Sequence, residues 1–137
     1  MGYKFERLEV WQLAIDYTDR IYQVSSTLPR DEEYNLKSQI RRAATSVALN
    51  IAEGSTSLSD AEQSRFVGIA LRSLVETVAC LHLINRHCRP ANVQLLRDAY
   101  RDSEKLFAKL QAFKHALSSS AVHEPSPEYE MDASEPF

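Results

Sequence analysis

Residues 39–54 read QIRRAATSVALNIAEG, and this stretch decides the fold. Ile40, Ala43, Val47 and Ile51 recur at spacings of three and four, and Leu36 extends the row backwards. That period describes a helix with one apolar seam, the kind that packs in a bundle. Asn50 and Glu53 interrupt the apolar wording near its end. Such residues at a seam satisfy backbone groups or each other at the turn between two helices, or across a subunit boundary.

Working outward, Pro29, Gly54 and Pro90, with Gly68, are the only Pro or Gly residues between Gly2 and Pro125. The segments between these breakers are long enough for four helices. The first is expected over about Glu6 to Thr27, with Leu8, Trp11, Ile15, Thr18 and Tyr22 on one face and Ala14, Ile21 and Val24 beside it. The second runs from about Asp31 to Glu53, its acidic start suiting the positive end of a helix dipole. Gly54 fits the left-handed residue that closes a helix. The third opens at the capping sequence Ser59-Asp60-Ala61-Glu62 and runs to about Arg86. Its expected face is Phe66, Ile69, Ser73, Val78, Leu81 and Ile84, broadened by Val67, Leu71, Leu74, Val75 and Leu83. A helix apolar over so much of its circumference is buried on more than one side, which points to an oligomer. The fourth opens at Pro90 and reaches about Leu117 through Val93, Leu96, Tyr100, Phe107, Leu110 and Phe113. Short connections imply an antiparallel up-down-up-down four-helix bundle, an all-α fold over residues 1–117.

The chain has 137 residues and a formal net charge of −3. Its composition, 44% apolar and 26% charged, is that of one globular domain. Five of its 19 acidic residues (Glu124, Glu128, Glu130, Asp132 and Glu135) fall in residues 118–137, which hold no Lys or Arg. The body is therefore mildly basic, and 118–137 reads as an acidic, disordered tail. No signal core or run of about twenty apolar residues is visible, so the expectation is a cytoplasmic chain with no membrane partner. Cys80 and Cys88 lie eight apart on one helix, about 12 Å in rise and too far for a disulfide between them. Cys80, His82, His87 and Cys88 lack the paired spacing of a zinc site, so no metal or other cofactor is expected. No phosphate loop, nucleophile elbow or catalytic triad pattern is present, and the chain reads as a non-enzyme with no catalytic residues.

The clearest charge pattern is Arg97, Arg101, Lys105 and Lys109 on the fourth helix. Successive members are about 40° apart and wind a stripe about 18 Å long. Repeated by symmetry, it would bind phosphates through counterion release, with Arg41 and Arg42 as further candidate nucleic-acid contacts. Asp98, Asp102 and Glu104 are interleaved and blunt its field. Glu76, in a very apolar helix, is expected to pair with Arg72 and with Arg41 or Arg42.

The order Leu8-Glu9-Val10-Trp11, Leu28-Pro29, Gln39-Ile40-Arg41-Arg42-Ala43-Ala44, Asn50-Ile51-Ala52-Glu53-Gly54, then Phe66, Ile69-Ala70, Ser73-Leu74 and Glu76 resembles the four-helix-bundle proteins encoded in 23S rRNA intervening sequences. The accessory proteins of diversity-generating retroelements belong to the same superfamily. The resemblance covers about residues 5–115. It implies a bacterial protein that closes into a ring-like homopentamer with a link to RNA or other nucleic acid. An alternative is an oligomeric scaffold for an RNA-processing or reverse-transcriptase enzyme. Asn50, Glu53, Arg72 and Glu76 are the polar residues expected to stabilise the bundle or its oligomer. Relatives commonly carry Gly where this chain has Arg72, and a basic residue soon after Gly54, where Ser55-Thr56-Ser57-Leu58 stands.

Overall fold

The structure, a computed structural model, describes residues 2–90, 92–118 and 136–137. It contains four α-helices: α1 (Glu9–Ser26), α2 (Leu36–Gly54), α3 (Asp60–His87) and α4 (Val93–Ser118). Single 3₁₀ turns at Lys4–Arg7 and Arg30–Glu32 precede α1 and α2, and no strand occurs among the described residues. Each helix packs on two others, α1 on α2 and α4, and α3 on α2 and α4, so the four close around one core. Partners run in opposite order along α2 and α3, where Gln39 meets Glu76 and Ser46 meets Ser73. The same holds for α1 and α4, where Glu9 meets Lys109 and Arg20 meets Asp102.

The α2 seam is the expected one: Leu36, Ile40, Ala43, Val47 and Ile51 are all buried. Full burial of an Ile or Val contributes about 1.5–3 kcal/mol, so this row alone anchors the helix. The start of α2 differs from the expectation. Asp31 and Glu32 lie in the 3₁₀ turn, and Glu32 reaches forward to accept from the Leu36 amide at 3.4 Å and from Asn35 Nδ2 at 3.1 Å. Its carboxylate thereby satisfies a first-turn N–H that the helix itself cannot.

Gly54 corrects a second expectation. It is the last residue of α2, Ser55 follows in right-handed conformation, and Gly54 has no positive φ. Its necessity is steric instead. A Cβ at Gly54 would stand 2.8 Å from Phe66 Cβ on α3, so the missing side chain lets the two helices approach.

On α1 the buried residues are Val10, Ala14, Tyr17, Ile21, Val24 and Ser25, a face rotated from the expected one. Ile15 and Tyr22 are exposed. Trp11 turns toward Phe5, edge to face at 4.7 Å, and covers the end of the core rather than filling it. Small Ala14 and the hydrogen-bonded Tyr17 take the seam. Tyr17 Oη lies 2.6 Å from Thr77 Oγ1 across the core, and Thr77 Oγ1 donates to the Leu74 carbonyl at 2.6 Å. Thr77 has one proton, so Tyr17 is the donor between them.

The α3 seam is Val67, Ala70, Leu74, Thr77, Leu81 and Ile84. Leu81 and Ile84 were expected there. Ile69 is exposed instead, and Phe66, Ser73 and Val78 are half-buried. Ser59 caps the helix by accepting from the Glu62 amide at 3.2 Å. By length and composition α3 is apolar enough to cross a membrane, although no such run was expected from the sequence. The reason is that apolar residues lie on its outer face as well as its inner one.

Helix α4 begins at Val93, not at Pro90. Proline disfavours right-handed helix in the residue before it, and Arg89 sits at φ 44°. Asn92 Oδ1 accepts from the Gln94 amide at 3.1 Å and supplies the cap. The buried row is Leu96, Ala99, Ser103, Leu106 and Leu110, with Phe107 and Phe113 at its edges and Tyr100 half-buried. Of the expected acidic tail at 118–137, residues 119–135 lie outside the described residues. Ser118 ends α4, and Phe137 packs against the core's margin.

Candidate nucleic-acid interface

One groove gathers several of the residues singled out by sequence. It has a volume of about 450 Å³ and is lined by Tyr22 from α1 and by Arg41, Arg42, Thr45, Ser46, Leu49, Asn50 and Glu53 from α2. On a helix, residues 42, 46, 49, 50 and 53 recur every three or four positions and share a face that flanks the buried seam.

Arg41 is held in place from two sides. Its Nε donates to Ser25 Oγ at 2.6 Å, and Ser25 Oγ donates to the Tyr22 carbonyl at 3.1 Å. Its guanidinium carbon lies 4.4 Å from the Tyr22 ring centroid. The cation thus sits at the C-terminal turn of α1, where the helix dipole favours positive charge. It also stacks on an aromatic face, worth about 0.5–1 kcal/mol at an exposed site. Arg42 is exposed at the groove's edge. Asn50 Nδ2 donates to the Ser46 carbonyl at 2.8 Å and to Ser46 Oγ at 3.1 Å. Asn50 thus bonds one turn back within its own helix, rather than to Glu53 or at the turn to α3. Glu53 is exposed at the far end. The groove's ionisable lining is two arginines against one glutamate, with Ser46, Thr45 and the Asn50 carbonyl oxygen as further polar groups.

The α4 stripe is arranged differently. Lys109 pairs with Glu9 at 3.3 Å, and Arg101 lies 4.0 Å from Asp98. Arg97 Nε donates to the main-chain oxygen of Phe137 at 2.9 Å. Lys105 lines a second groove, about 380 Å³, where Asp16, Asp19 and Asp102 outnumber Arg20 and Lys105. Arg20 itself is tied to Asp102 at 3.0 Å. The stripe is thus largely compensated by acidic neighbours from α1 and α4, a field that sequence spacing along one helix does not reveal.

Glu76 does not pair with Arg72, Arg41 or Arg42 among the described contacts. Its carboxylate accepts from Gln39 Nε2 at 3.4 Å, because Arg41 is turned toward α1. Ser46 and Ser73 bond at 2.8 Å one turn further along, so the outer α2–α3 seam is polar. Beside it, Ile69, Arg72, Glu76, Ala79 and Leu83 recur at three and four along the outward face of α3. Ile69 is 39% exposed and Leu83 44%, with Val75 nearby at 54%.

Cys80 is buried and Cys88 half-buried, both free. Burial pushes both thiols above their ordinary range, aided at Cys80 by Glu76 and at Cys88 by Glu32 and Asp31. Among the described residues no three His, Cys, Asp or Glu side chains converge as a metal-ligand set. Two participants escaped the sequence reading. Tyr22 was assigned to the core face, and Phe137 to the acidic, disordered tail. Nothing in the local wording marks either one.

An all-helical bundle with a polar outer α2–α3 seam and an arginine-bearing groove on α2 defines the class. Residues 6–112 match the family described as 23S rRNA-intervening sequence protein, and the chain belongs to that family. It is similar in fold to a crystal structure of a protein of unknown function from the S23 ribosomal protein family of Bacteroides thetaiotaomicron. The TM-score is 0.69 at 24% identity, covering 77% of this chain and 97% of that one. A search of curated proteins finds no match.

Proposed function

We propose that this chain is a non-enzymatic, RNA-associating bundle that works as a closed homo-oligomer and presents its α2 groove to the nucleic acid. The observation that carries this reading is the groove itself. It combines a fixed arginine stacked on an exposed tyrosine, a second exposed arginine and one acid. Arginines bind phosphate, and an exposed aromatic ring accepts a base by stacking. The family's name refers to a 23S rRNA intervening sequence, which makes RNA the ligand to test before DNA. The α4 stripe takes a secondary part, since its charges are met by Glu9, Asp98, Asp16 and Asp19.

The opposite running order of partners along α1–α4 and α2–α3 supports an antiparallel up-down-up-down course. The exposed apolar residues of α3, interleaved with Arg72 and Glu76, support self-association through that face. A heterologous interface of this kind closes into a ring when its rotation permits, and five subunits is the proposed number. The proposed setting is the bacterial cytoplasm. The same face could instead seat a protein partner such as a reverse transcriptase or RNA-processing enzyme, the scaffold reading.

The test is binding of a structured RNA across a salt series, with oligomer mass measured by light scattering. Wild type is compared with Arg42→Glu and with a variant carrying Glu at 97, 101, 105 and 109. Arg42→Glu should weaken binding and flatten the salt dependence by about one in log–log slope, with mass unchanged. Loss of binding only in the α4 variant would move the ligand from the α2 groove to the stripe. No binding by wild type at low salt refutes the RNA reading and leaves the scaffold. A monomeric wild type refutes the assembly.

A further inference from the structure

The α2 groove has a direction: its cationic donors stand at one end and its acceptors at the other. At the first end are Arg41, whose Nε alone is taken up by Ser25, and the exposed Arg42. At the far end is Glu53, exposed and without a side-chain hydrogen bond or ion pair among the described residues. Asn50 stands one turn before it. Its Nδ2 is occupied by the Ser46 carbonyl at 2.8 Å and by Ser46 Oγ at 3.1 Å. Ser46 is itself held from α3 by Ser73 at 2.8 Å. Asn50 is therefore fixed with its carbonyl oxygen as the group left to offer. An ionised carboxylate only accepts. The far end thus requires donors of its ligand, and the near end requires an anion.

We propose that the groove selects guanine in a single-stranded RNA, with the Glu53 carboxylate accepting from N1–H and the N2 amine of the base while Arg41 and Arg42 take a phosphate. The proposal rests on the nucleic-acid reading of this groove and adds to it the base.

Three physical points support it. First, guanine is the one RNA base whose Watson–Crick edge carries two adjacent donors. Adenine and cytosine set one amino donor beside a ring-nitrogen lone pair, and uracil sets one N–H between two carbonyls. A carboxylate makes two parallel bonds with guanine, whereas each other base turns at least one lone pair toward it. In a single strand that edge is unpaired and open to a side chain. Second, an acid at the end of a phosphate-binding groove repels every nucleic acid. Only a base that bonds to it recovers the loss, so Glu53 rejects the wrong bases as well as holding the right one. Third, Arg42 and Glu53 are eleven positions apart, about 16 Å along α2. A stacked strand advances about 3.4 Å per nucleotide. The phosphate and the base read at the two ends therefore belong to different nucleotides, and the ligand is a short strand rather than a free mononucleotide. Tyr22, 44% exposed at the arginine end, offers a ring on which a neighbouring base stacks.

The test compares short labelled uridine oligoribonucleotides carrying one central guanine, inosine or adenine, titrated by fluorescence anisotropy at low salt. Wild type should bind the guanine strand about five- to tenfold more tightly than the adenine strand. The inosine strand lacks the N2 amine and should fall between them. Glu53→Gln should weaken the guanine strand and strengthen the adenine strand, because one acceptor atom becomes a donor and a negative charge is lost. Glu53 is exposed at the end of α2, so this variant keeps the fold. A purely structural or long-range electrostatic role for Glu53 would move both strands in the same direction, and that result overturns the proposal. Equal wild-type affinity for the guanine and adenine strands overturns it as well. Arg42→Glu should weaken all three strands alike. If it does so while wild type binds the three equally, the groove reading stands and the base choice alone fails. No binding of any strand at low salt removes both.

Discussion

The Tyr17–Thr77 pair predicts an alkaline limit to stability that one substitution removes. Tyr17 is buried, and burial, the largest influence on it, pushes its phenol well above the ordinary tyrosine range, with Asp102 and Cys80 adding to the rise. In the unfolded chain the same phenol ionises near pH 10. Above that pH the unfolded state has released a proton that the folded state still holds. Stability is therefore fully present below about pH 10 and falls as pH rises, by about 1.4 kcal/mol per unit from this group alone. The assay is urea unfolding followed by circular dichroism at several pH values from about 8 to about 11. Other phenols and the lysines titrate there too, so the quantity to read is the difference between wild type and Tyr17→Phe. Near neutral pH, Tyr17→Phe should cost about 0.5–1.5 kcal/mol, the net worth of one hydrogen bond, because Thr77 keeps its bond to Leu74. Thr77→Val should cost more, about 1–3 kcal/mol, because it leaves the Tyr17 hydroxyl buried and unpaired. Above pH 10 the wild-type advantage over Tyr17→Phe should shrink and then reverse. Parallel pH dependence in the two proteins would refute the reasoning.

Four further outcomes are expected. Gly54→Ala should destabilise the fold by about 1–2 kcal/mol in thermal or urea unfolding, because its Cβ would meet Phe66 Cβ at 2.8 Å. Gly68→Ala should stabilise it by up to about 1 kcal/mol, because its Cβ meets only the flexible Lys114 Cε at 3.4 Å and the helix gains propensity. Removing the exposed Lys109–Glu9 pair by Lys109→Ala should change stability by less than about 1 kcal/mol, and less still in high salt. Alkylation at neutral pH should be slow at Cys88 and should reach Cys80 only after denaturation. Rapid loss of both thiols from the native protein would contradict their burial.

The helix count and the α2 seam were legible because strong breakers and a strict three-four period coincide there. The α1 and α3 faces were legible only as helical. In α1 the bulk of Trp11 and Tyr22 outweighed Ala14 and Tyr17 in the reading, yet small and hydrogen-bonded residues took the centre of the bundle. In α3 nearly every side is apolar, so the period alone could not say whether Ile69 or Ala70 faces inward. Gly54 illustrates a further limit. Its place at a helix end was readable, but its reason lies twelve residues away in Phe66. The α4 stripe was legible as a pattern and misleading as a field, because Glu9, Asp16 and Asp19 belong to a helix some ninety residues earlier. The α2 groove was half legible: Arg41, Arg42, Asn50 and Glu53 were marked, but Tyr22 was not.

The closing of the ring of helices has a kinetic consequence. The α2–α3 pairs join residues 27 to 37 positions apart, such as Ser46 with Ser73 and Gln39 with Glu76. The α1–α4 seam joins Arg20 to Asp102 across 82 positions and Glu9 to Lys109 across a hundred, through side chains that are well exposed. Loop-closure entropy makes the near pairs cheap and the distant ones late. The hairpin of α2 and α3 should therefore form the folding nucleus, with α1 and α4 zipping together last. Read in reverse, the native bundle opens first along the α1–α4 line. Amide hydrogens of α1 and α4 should exchange by such partial openings, while those of α2 and α3 wait for global unfolding.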